Sequence, residues 1–323
     1  TKALSILLLQ QHQISLFWFH SLKSYNCEGC MHVMVKGMHL MEKILFKVAK
    51  QWIAGNTIDD ALTSAKNAYK LRRHTIINKL GEYHTSKKQI SETVREYQKI
   101  IRSFRKWKIR GAISVKPTQI GLSISQKECY RNLEQIIHDA RNAHVFVWID
   151  MESSDHTDET IEIYNVFFSK YERTGIALQA NLKRTENDLK DLLQIGAKVR
   201  LVKGAYRENA HISFKSKEDV DKNYIKLMRI LFQKSNEFAI ASHDGKIIRK
   251  AQNLSKKYPR KFEFQMLKGI REDLKSKLIK KKFVVSDYIP YGINWLPYSI
   301  RRIKERKRNI LLLGSSLIQS QRV

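Results

Sequence analysis

Short apolar segments rich in β-branched residues recur along the chain from about residue 111, and each is followed by an amphipathic helical pattern. Regular alternation of strand and helix is typical of a parallel sheet. Seven such strands are predicted, at residues 113–116, 145–151, 176–179, 199–202, 238–241, 262–267 and 283–289. So many repeats in roughly 200 residues favour a (β/α)8 barrel over a doubly wound sheet. A doubly wound dinucleotide fold would also need a GxGxxG motif after its first strand, and none is present.

Helical periodicity marks the segments between the strands and the region before them. Thr57 is a predicted N-cap, Ser216 opens another helix, and Gly196 follows the end of a third. These patterns divide the chain into an unassigned tail at 1–40, a helical arm at 41–107, a barrel at 108–312 and a C-terminal tail at 313–323. The eighth strand is not identified; either residues 309–313 close the barrel or a strand lies elsewhere.

The first forty residues show neither clear periodicity nor capping residues, and we interpret them as either a fragment end or an over-extended reading frame. They contain Cys27 and Cys30 in a CxxC motif flanked by His20 and His32. A lone CxxC without a second pair is a weak zinc signal, so no metal site is predicted. Three cysteines in 323 residues exclude a disulfide framework and fit a reducing compartment.

The composition is that of a globular protein, with 42% hydrophobic and 28% charged residues, but the net charge of +29 is unusual. It indicates an anionic partner or a basic proteome. Nucleic-acid binding is the rival hypothesis, but no helix-turn-helix, zinc-finger array or RNP-type strand accompanies the basic clusters. No nucleic-acid partner is therefore expected. No apolar run reaches the length of a membrane span, and no signal peptide is indicated.

Polar side chains stand where the predicted strands end, and in a barrel the chemistry lies at the carboxyl ends of the strands. Arg200 and Gln265 lie inside otherwise apolar runs, where a buried polar group needs a partner or a filled pocket. Convergence of so many polar residues at one end favours a functional site over separate capping roles. The strand-end candidates are Lys116, Asp150, Glu152, Gln179, Lys203, Tyr206, His243, Asp244 and Tyr288.

A basic helical pattern follows the last strand and contains Arg301, Arg302 and Glu305. Adjacent residues on a helix point about 100° apart, so the two arginines can grip one small anion from two directions. Glu305, three residues after Arg302, is spaced to hold its guanidinium. The alternative is a solvated basic helix face.

Taken in order, these segments resemble the FAD-dependent proline dehydrogenase family, in particular its monofunctional members. The first forty residues match nothing in that pattern. The resemblance is carried by WIAGNTIDDAL and INKLGEY in the arm, and by SVKPTQIGL, VWIDMESS, ALQANLKRT, VRLVKGAYRE, AIASHD, FEFQMLKGI and DYIPYGINWLPYSIRRIKER along the predicted barrel.

The resemblance implies a distorted TIM-type barrel that binds FAD at its mouth, with a last helix lying over that mouth. It implies oxidation of L-proline to Δ1-pyrroline-5-carboxylate, the first step of proline catabolism to glutamate, with hydride passing from proline C5 to flavin N5. The electrons would go to a membrane quinone or another acceptor. We therefore expect a cytoplasmic protein that associates peripherally with the inner, anionic face of the membrane.

The resemblance also implies roles for individual residues. Arg200, Lys116 and Asp150 are expected to be catalytic, and Asp150 to orient Lys116 or Arg302. The expected substrate-binding residues are Lys116, Tyr206, Leu267, Tyr288, Arg301 and Arg302. The expected cofactor-binding residues are Gln179, Arg200, Lys203, Gly204, Ala205, His243, Gln265, Arg302 and Glu305.

Two positions bear on the limits of this resemblance. Tyr288 stands where hydroxyproline-specific relatives lose an aromatic residue, which favours proline over hydroxyproline or another small acid as substrate. Lys268 stands where Tyr or His is expected, so it either alters the flavin edge or is simply exposed.

Overall fold

Eight parallel strands form a closed barrel in the computed structural model, which describes residues 45–304. Each strand pairs with its sequence neighbours, and the first pairs with the last. The predicted (β/α)8 barrel is thereby confirmed. The strands are β1 (His74–Lys79), β2 (Gly111–Val115), β3 (Phe146–Ile149), β4 (Thr174–Gln179), β5 (Lys198–Val202), β6 (Glu237–Ala241), β7 (Lys261–Leu267) and β8 (Val284–Tyr291).

Helices alternate with the strands. Thr57 caps the first of them with a capping box, in which its hydroxyl accepts from the Asp60 amide and the Asp60 carboxylate accepts from the Thr57 amide. None of the described helices is long and apolar enough to cross a membrane. The helices are α1 (Ile58–Lys70), α2 (Lys87–Trp107), α3 (Gln126–Asn142), α4 (Thr157–Lys170), α5 (Thr185–Gln194), α6 (Lys217–Lys234), α7 (Gly245–Lys257), α8 (Glu272–Lys280) and α9 (Trp295–Lys304), with short 3₁₀ turns at Pro117–Ile120 and Ser154–His156.

The barrel begins earlier in the chain than the sequence predicted. Strand β1 lies inside segment 41–107, which was expected to be a purely helical arm, so the predicted boundary at residue 108 is wrong. The barrel is complete without residues 309–313, which lie outside the described residues, as do Cys27, Cys30 and both tails.

Closure of the barrel depends on the pairing of β1 with β8, in a register that runs from His74 opposite Ser286 to Lys79 opposite Tyr291. Arg73, which precedes β1 and is 4% exposed, donates to Asp287 of β8 at 3.2 Å and to Glu272 of α8 at 2.5 Å. A buried guanidinium needs such carboxylate partners. The ion pair between Arg73 and Asp287 therefore holds the start of β1 against β8.

Two apolar layers flank the strands. The large outer core lies between the strands and the helices, whereas a small inner cluster of Ile76, Ala112, Trp148 and Ala239 fills the barrel itself. Gly175 on β4 leaves room for the Trp148 ring, because a Cβ at this position would clash with it. This plug closes the barrel interior below its carboxyl-terminal end, where the polar residues collect.

Candidate active site

A buried ion pair lies at the centre of the barrel mouth. Arg200 of β5 is 3% exposed, and its Nη1 donates to Asp150 Oδ1 at 2.5 Å and to Ser114 Oγ at 2.8 Å. The Ser114 hydroxyl in turn donates to Asp150 Oδ1 at 2.8 Å. Ser114 lies on β2, Asp150 directly follows β3 and Arg200 lies on β5, so the cluster forms only when these strands lie together in the sheet.

Aromatic rings surround this ion pair. The Tyr288 hydroxyl donates to Asp150 Oδ2 at 2.9 Å, and the Arg200 guanidinium lies 4.5 Å from the Trp148 ring centre and 5.4 Å from the Tyr288 ring centre. Burial, and then the negative charge of Asp150, hold the pKa of Tyr288 well above its usual value. Tyr288 is therefore a neutral donor that fixes the second oxygen of Asp150.

Gln265 of β7 forms hydrogen bonds that connect Arg200 to Glu263. Its Oε1 accepts from Arg200 Nε at 2.5 Å, and its Nε2 donates to Glu263 Oε1, also at 2.5 Å. Glu263 Oε2 accepts from the Ser286 hydroxyl at 2.7 Å. A polar chain therefore continues from the mouth into the barrel.

Lys116 lies just beyond the end of β2 and is 8% exposed. Its ammonium donates to Asn78 Oδ1 at 3.3 Å, and Asn78 Nδ2 donates to the Ser114 carbonyl at 2.9 Å. Asp150 contacts Arg200, Ser114 and Tyr288 and not Lys116, so the structure does not support orientation of Lys116, whereas orientation of Arg302, the other alternative, stays a prediction. The side chain of Asp150 lies at the mouth of the barrel, where Arg200 occupies the position beside it.

Glu152, two residues after Asp150, is fully buried behind Lys116. Its two carboxyl oxygens accept from the Thr118 amide at 2.9 Å and the Thr118 hydroxyl at 2.5 Å. Burial, only partly offset by these bonds and by Lys116, raises the pKa of Glu152 to about 7. The Gln179 amide donates to the Glu152 carbonyl at 2.9 Å, so β4 is tied to the same loop.

The loop after β5 begins with Lys203 and Gly204. Lys203 forms ion pairs with Asp221 and, at 3.1 Å, with Asp244. Gly204 has φ +101°, and a Cβ there would collide with the Asn181 amide oxygen. The backbone can therefore run close to Asn181 only because the residue is glycine. Ala205, next along the chain, is exposed.

His243 and Lys268 stand at the ends of β6 and β7. His243 Nε2 accepts from the Leu267 amide at 2.8 Å, which fixes the ring. Lys268 Nζ donates to the carbonyls of Lys50 at 3.0 Å and Ile53 at 3.2 Å. Lys268 thus anchors the segment before α1, and it is not simply exposed. Burial lowers its pKa.

Helix α9 crosses the mouth of the barrel. Arg301 donates to Glu82, in the loop after β1, at 2.9 Å, and its guanidinium lies 6.0 Å from the Tyr206 ring centre, after β5. In an eight-stranded barrel β1 and β5 are on opposite sides, so these contacts span the opening. The Trp52 indole donates to Ser299 of the helix at 3.1 Å.

Arg302, the second arginine of the predicted pair, lies with its guanidinium 5.4 Å from the Tyr298 ring centre. Both arginines are half-buried. Glu305, the residue expected to hold Arg302, lies outside the described residues.

Arg200 Nη2 and Asn181 Oδ1 are buried polar atoms at this end of the barrel that have no hydrogen-bond partner among the described residues. Arg200 is 3% exposed and Asn181 is 8% exposed, and a buried polar atom without a partner is costly. A donor beside the Arg200–Asp150 cluster and an acceptor beside the Gly204 backbone fit a bound polar ring system such as an isoalloxazine. The residues present are thus compatible with the flavin that the resemblance implies.

The family model for proline dehydrogenase matches residues 61–310 of the chain. The chain belongs to the proline dehydrogenase family. It is similar to proline dehydrogenase 1 of Bacillus subtilis subsp. natto, with 34% identity over 274 residues that cover 84% of this chain and 91% of the relative. It is also 29% identical over 291 residues to a proline dehydrogenase of Deinococcus radiodurans, covering 87% of this chain and 93% of that one. This proline dehydrogenase family member is accordingly an oxidoreductase that acts on proline.

Solved structures support the fold. Proline utilization A from Bdellovibrio bacteriovorus, inactivated by N-propargylglycine, superposes with a TM-score of 0.73 at 24% identity. The match covers 80% of this chain but 32% of that protein, so the proline dehydrogenase chain spans about a third of the longer one.

The structure adds residues to the site that sequence reasoning missed. Ser114, Asn78 and Glu263 contact Arg200, Lys116 or Gln265 directly, yet none was predicted. Ser114 and Glu263 are polar residues inside predicted, mainly apolar strands, the same signal that identified Arg200 and Gln265, so it was available for these two. Asn78 lies on β1, a mostly polar segment that was not predicted as a strand, and no such signal marked it.

Proposed function

We propose that this protein is an FAD-dependent dehydrogenase that oxidises L-proline to Δ1-pyrroline-5-carboxylate and passes the electrons to a quinone or another acceptor. The observation that carries the proposal is the buried Arg200–Asp150–Tyr288 cluster with one unpartnered guanidinium nitrogen at the mouth of the barrel. When bound, FAD supplies the acceptor for the hydride that leaves C5 of proline. The substrate nitrogen loses a proton, and the C5–N bond becomes an imine.

The chain's own contribution is to bind and orient the two molecules. Arg301, Arg302 and Lys116 are the cations proposed to hold the proline carboxylate. Two guanidinium groups and an ammonium exceed the charge of one carboxylate, and the excess favours the neutral amine of the substrate, which can release hydride. Because α9 carries both arginines across the mouth, substrate binding would also hold this helix closed and exclude water.

The walls of the site set the shape of the substrate. Tyr206, Leu267 and Tyr288 are proposed to pack against the proline ring. The Tyr288 hydroxyl is already committed to Asp150 at 2.9 Å, so the tyrosine presents its apolar ring edge and no free donor. Tyr288 therefore offers no free donor to a ring hydroxyl on the substrate, which favours proline over hydroxyproline.

The flavin would lie along the ends of β4 to β7. Arg200 is proposed to donate its unpartnered Nη2 to the flavin, and Gly204 to let the cofactor approach the backbone. The other residues proposed to contact the cofactor are Gln179, Lys203, Ala205, His243, Gln265, Arg302 and Glu305.

The test is anaerobic titration of the purified, flavin-loaded protein with L-proline, trans-4-hydroxy-L-proline and D-proline. The flavin absorbance near 450 nm is expected to bleach with L-proline alone, and the product to be trapped by o-aminobenzaldehyde as the adduct of a cyclic imine. Equally efficient bleaching by trans-4-hydroxy-L-proline would show that hydroxyproline is also a substrate and would contradict the proposed preference for proline. A protein that purifies without flavin and cannot be loaded with FAD would refute the proposal.

A further inference from the structure

A continuous polar chain runs through the barrel from the site toward the amino-terminal end. Arg200 Nε donates to Gln265, Gln265 donates to Glu263, and Glu263 accepts from Ser286, with lengths of 2.5, 2.5 and 2.7 Å. Glu263 lines a cavity of about 660 Å³ at the opposite end of the barrel from the site. Glu263 therefore contacts Gln265, which is proposed to contact the cofactor, and itself lies away from the mouth.

The carboxylate of Glu263 determines which way the Gln265 amide faces. An ionised carboxylate only accepts hydrogen bonds, so the amide must present its NH2 group to Glu263 and its oxygen to Arg200. Rotation of the amide by 180° would place a donor against Arg200 Nε, which is itself a donor. Glu263 and Arg200 thus favour the same orientation of the Gln265 amide, and Glu263 fixes its NH2 end.

Charge balance gives no other reason for a carboxylate here. Among the described residues no Lys or Arg forms an ion pair with Glu263, and the ring nitrogen His74 Nδ1 lies 3.9 Å from Glu263 Oε2. The neighbouring Glu237 differs, because it forms ion pairs with Lys198 at 3.3 Å and Lys261 at 2.7 Å. The two carboxylate oxygens of Glu263 instead accept hydrogen bonds from neutral donors, Gln265 and Ser286.

We propose that Glu263 is a positioning residue for the oxidation, acting through the Gln265 amide to hold the Arg200 guanidinium in place. The inference rests on the proposed function, since it assumes that Arg200 faces the flavin. The contacts among Glu263, Gln265 and Arg200 do not depend on that assumption, because all three residues are described in the structure.

The test compares Glu263→Leu, which removes the acceptor, with Glu263→Gln, which retains one. Glu237→Leu, at the same end of the neighbouring strand, is the matched control. Stopped-flow reduction of the flavin by L-proline should show a limiting rate about tenfold lower in E263L, the effect of losing roughly one hydrogen bond. E263Q should recover most of the rate, E237L should equal the wild type, and the apparent dissociation constant of proline should stay within about twofold.

A double-mutant cycle shows whether Glu263 acts through Gln265. In a Gln265→Leu background, the E263L change should have no further effect on the limiting rate, because the amide it orients is gone. Additive effects, or an E263L rate equal to that of the wild type, would overturn the proposal. Glu263→Ala replaces E263L, under the same criteria, if the leucine variant does not fold.

A crystal structure of E263L provides a readout independent of catalysis. The contact between Arg200 Nε and Gln265 Oε1 is expected to be lost, and its persistence would contradict the proposal. If the wild-type protein is not bleached by L-proline, the proposed function fails. The crystallographic result then still decides whether Glu263 orients the amide.

Discussion

Glu152 shows how burial changes the behaviour of a single residue. The carboxyl group is enclosed beside Lys116 and bonded to Thr118, yet desolvation dominates and raises its pKa from 4.5 to about 7. The folded protein therefore holds this proton more tightly than the unfolded chain does. The contribution to stability is fully present below pH 4.5 and is lost as the pH rises to about 7.

This titration predicts a pH-dependent difference between the wild type and Glu152→Gln. A shift of this size corresponds to about 3 kcal/mol of stability lost between pH 4.5 and 7, and the neutral amide does not lose it. Urea unfolding of both proteins should therefore show the E152Q protein gaining stability relative to the wild type as the pH rises from about 5 to 8. Glu134→Gln, at an exposed position of α3, is the control, and an equal slope for E152Q and the wild type would contradict the prediction.

At the level of elements, the turn from β5 into its loop is built around Gly204. Two effects restrict this position, namely a φ of +101° and the closeness of the Asn181 amide. Gly196, after α5, also has a positive φ, of +74°, but a Cβ there would meet nothing within 4 Å. A substitution at Gly196 therefore causes backbone strain alone, whereas a substitution at Gly204 causes both backbone strain and a steric clash with Asn181.

Gly204→Ala is expected to lower both stability and flavin content. The added methyl group must displace the Asn181 side chain, which lies beside the proposed path of the cofactor. Gly196→Ala should cost only about 1 kcal/mol of stability, the penalty for a non-glycine residue in this region, and should retain its flavin. The ratio of absorbance at 450 and 280 nm reports flavin content, and denaturant midpoints report stability. Equal flavin content in the two variants would show that the Gly204 turn is not part of the cofactor site.

The sequence predicted seven of the eight strands, because each combines β-branched residues with a following amphipathic helix. Strand β1 was missed for a physical reason. Its segment, HTIINK, has only two apolar residues, Ile76 and Ile77, with polar residues on both sides, and it lies between two strongly helical segments. Its identity as a strand comes from pairing with β8, more than 200 residues away, and no local pattern records that pairing.

The candidate site was predicted as a set of strand-end residues but not as a network. The positions of Arg200, Asp150, Gln265 and Tyr288 follow from strand periodicity, and the structure brings these four together. Their pairing does not follow, because it depends on which side chains meet across the barrel. Asp150 was expected beside Lys116, yet Arg200 reaches it from β5, two strands further round the barrel.

At the level of the whole molecule, the net charge of +29 remains larger than the site explains. Lys116, Arg200, Arg301 and Arg302 account for four of the sixty basic residues. The others add a long-range positive field, which attracts anionic surfaces at roughly 1 kcal/mol per well-placed basic residue.

The full chain is therefore expected to bind vesicles that contain phosphatidylglycerol and to dissociate as salt is raised, since screening weakens each contact. Co-sedimentation at about 20 mM and about 300 mM salt measures this, at ionic strengths with clearly different screening lengths. Vesicles of phosphatidylcholine alone are the control. Equal binding to both lipids, or no binding at low salt, would leave the charge without a role at membranes and weaken the case for a membrane quinone as acceptor.

The seam between β1 and β8 has a consequence for how the chain reaches its native state. During synthesis β1 is made long before β8 exists, so the growing sheet carries open edges until the end of the barrel has been translated. Such edges invite pairing with other chains. A shortened protein beginning at residue 108 would keep those edges permanently, since seven strands cannot close this cylinder. Closure, and with it the site, thus depends on one of the least strand-like segments of the sequence, and variants there are expected to aggregate before they lose activity by any other route.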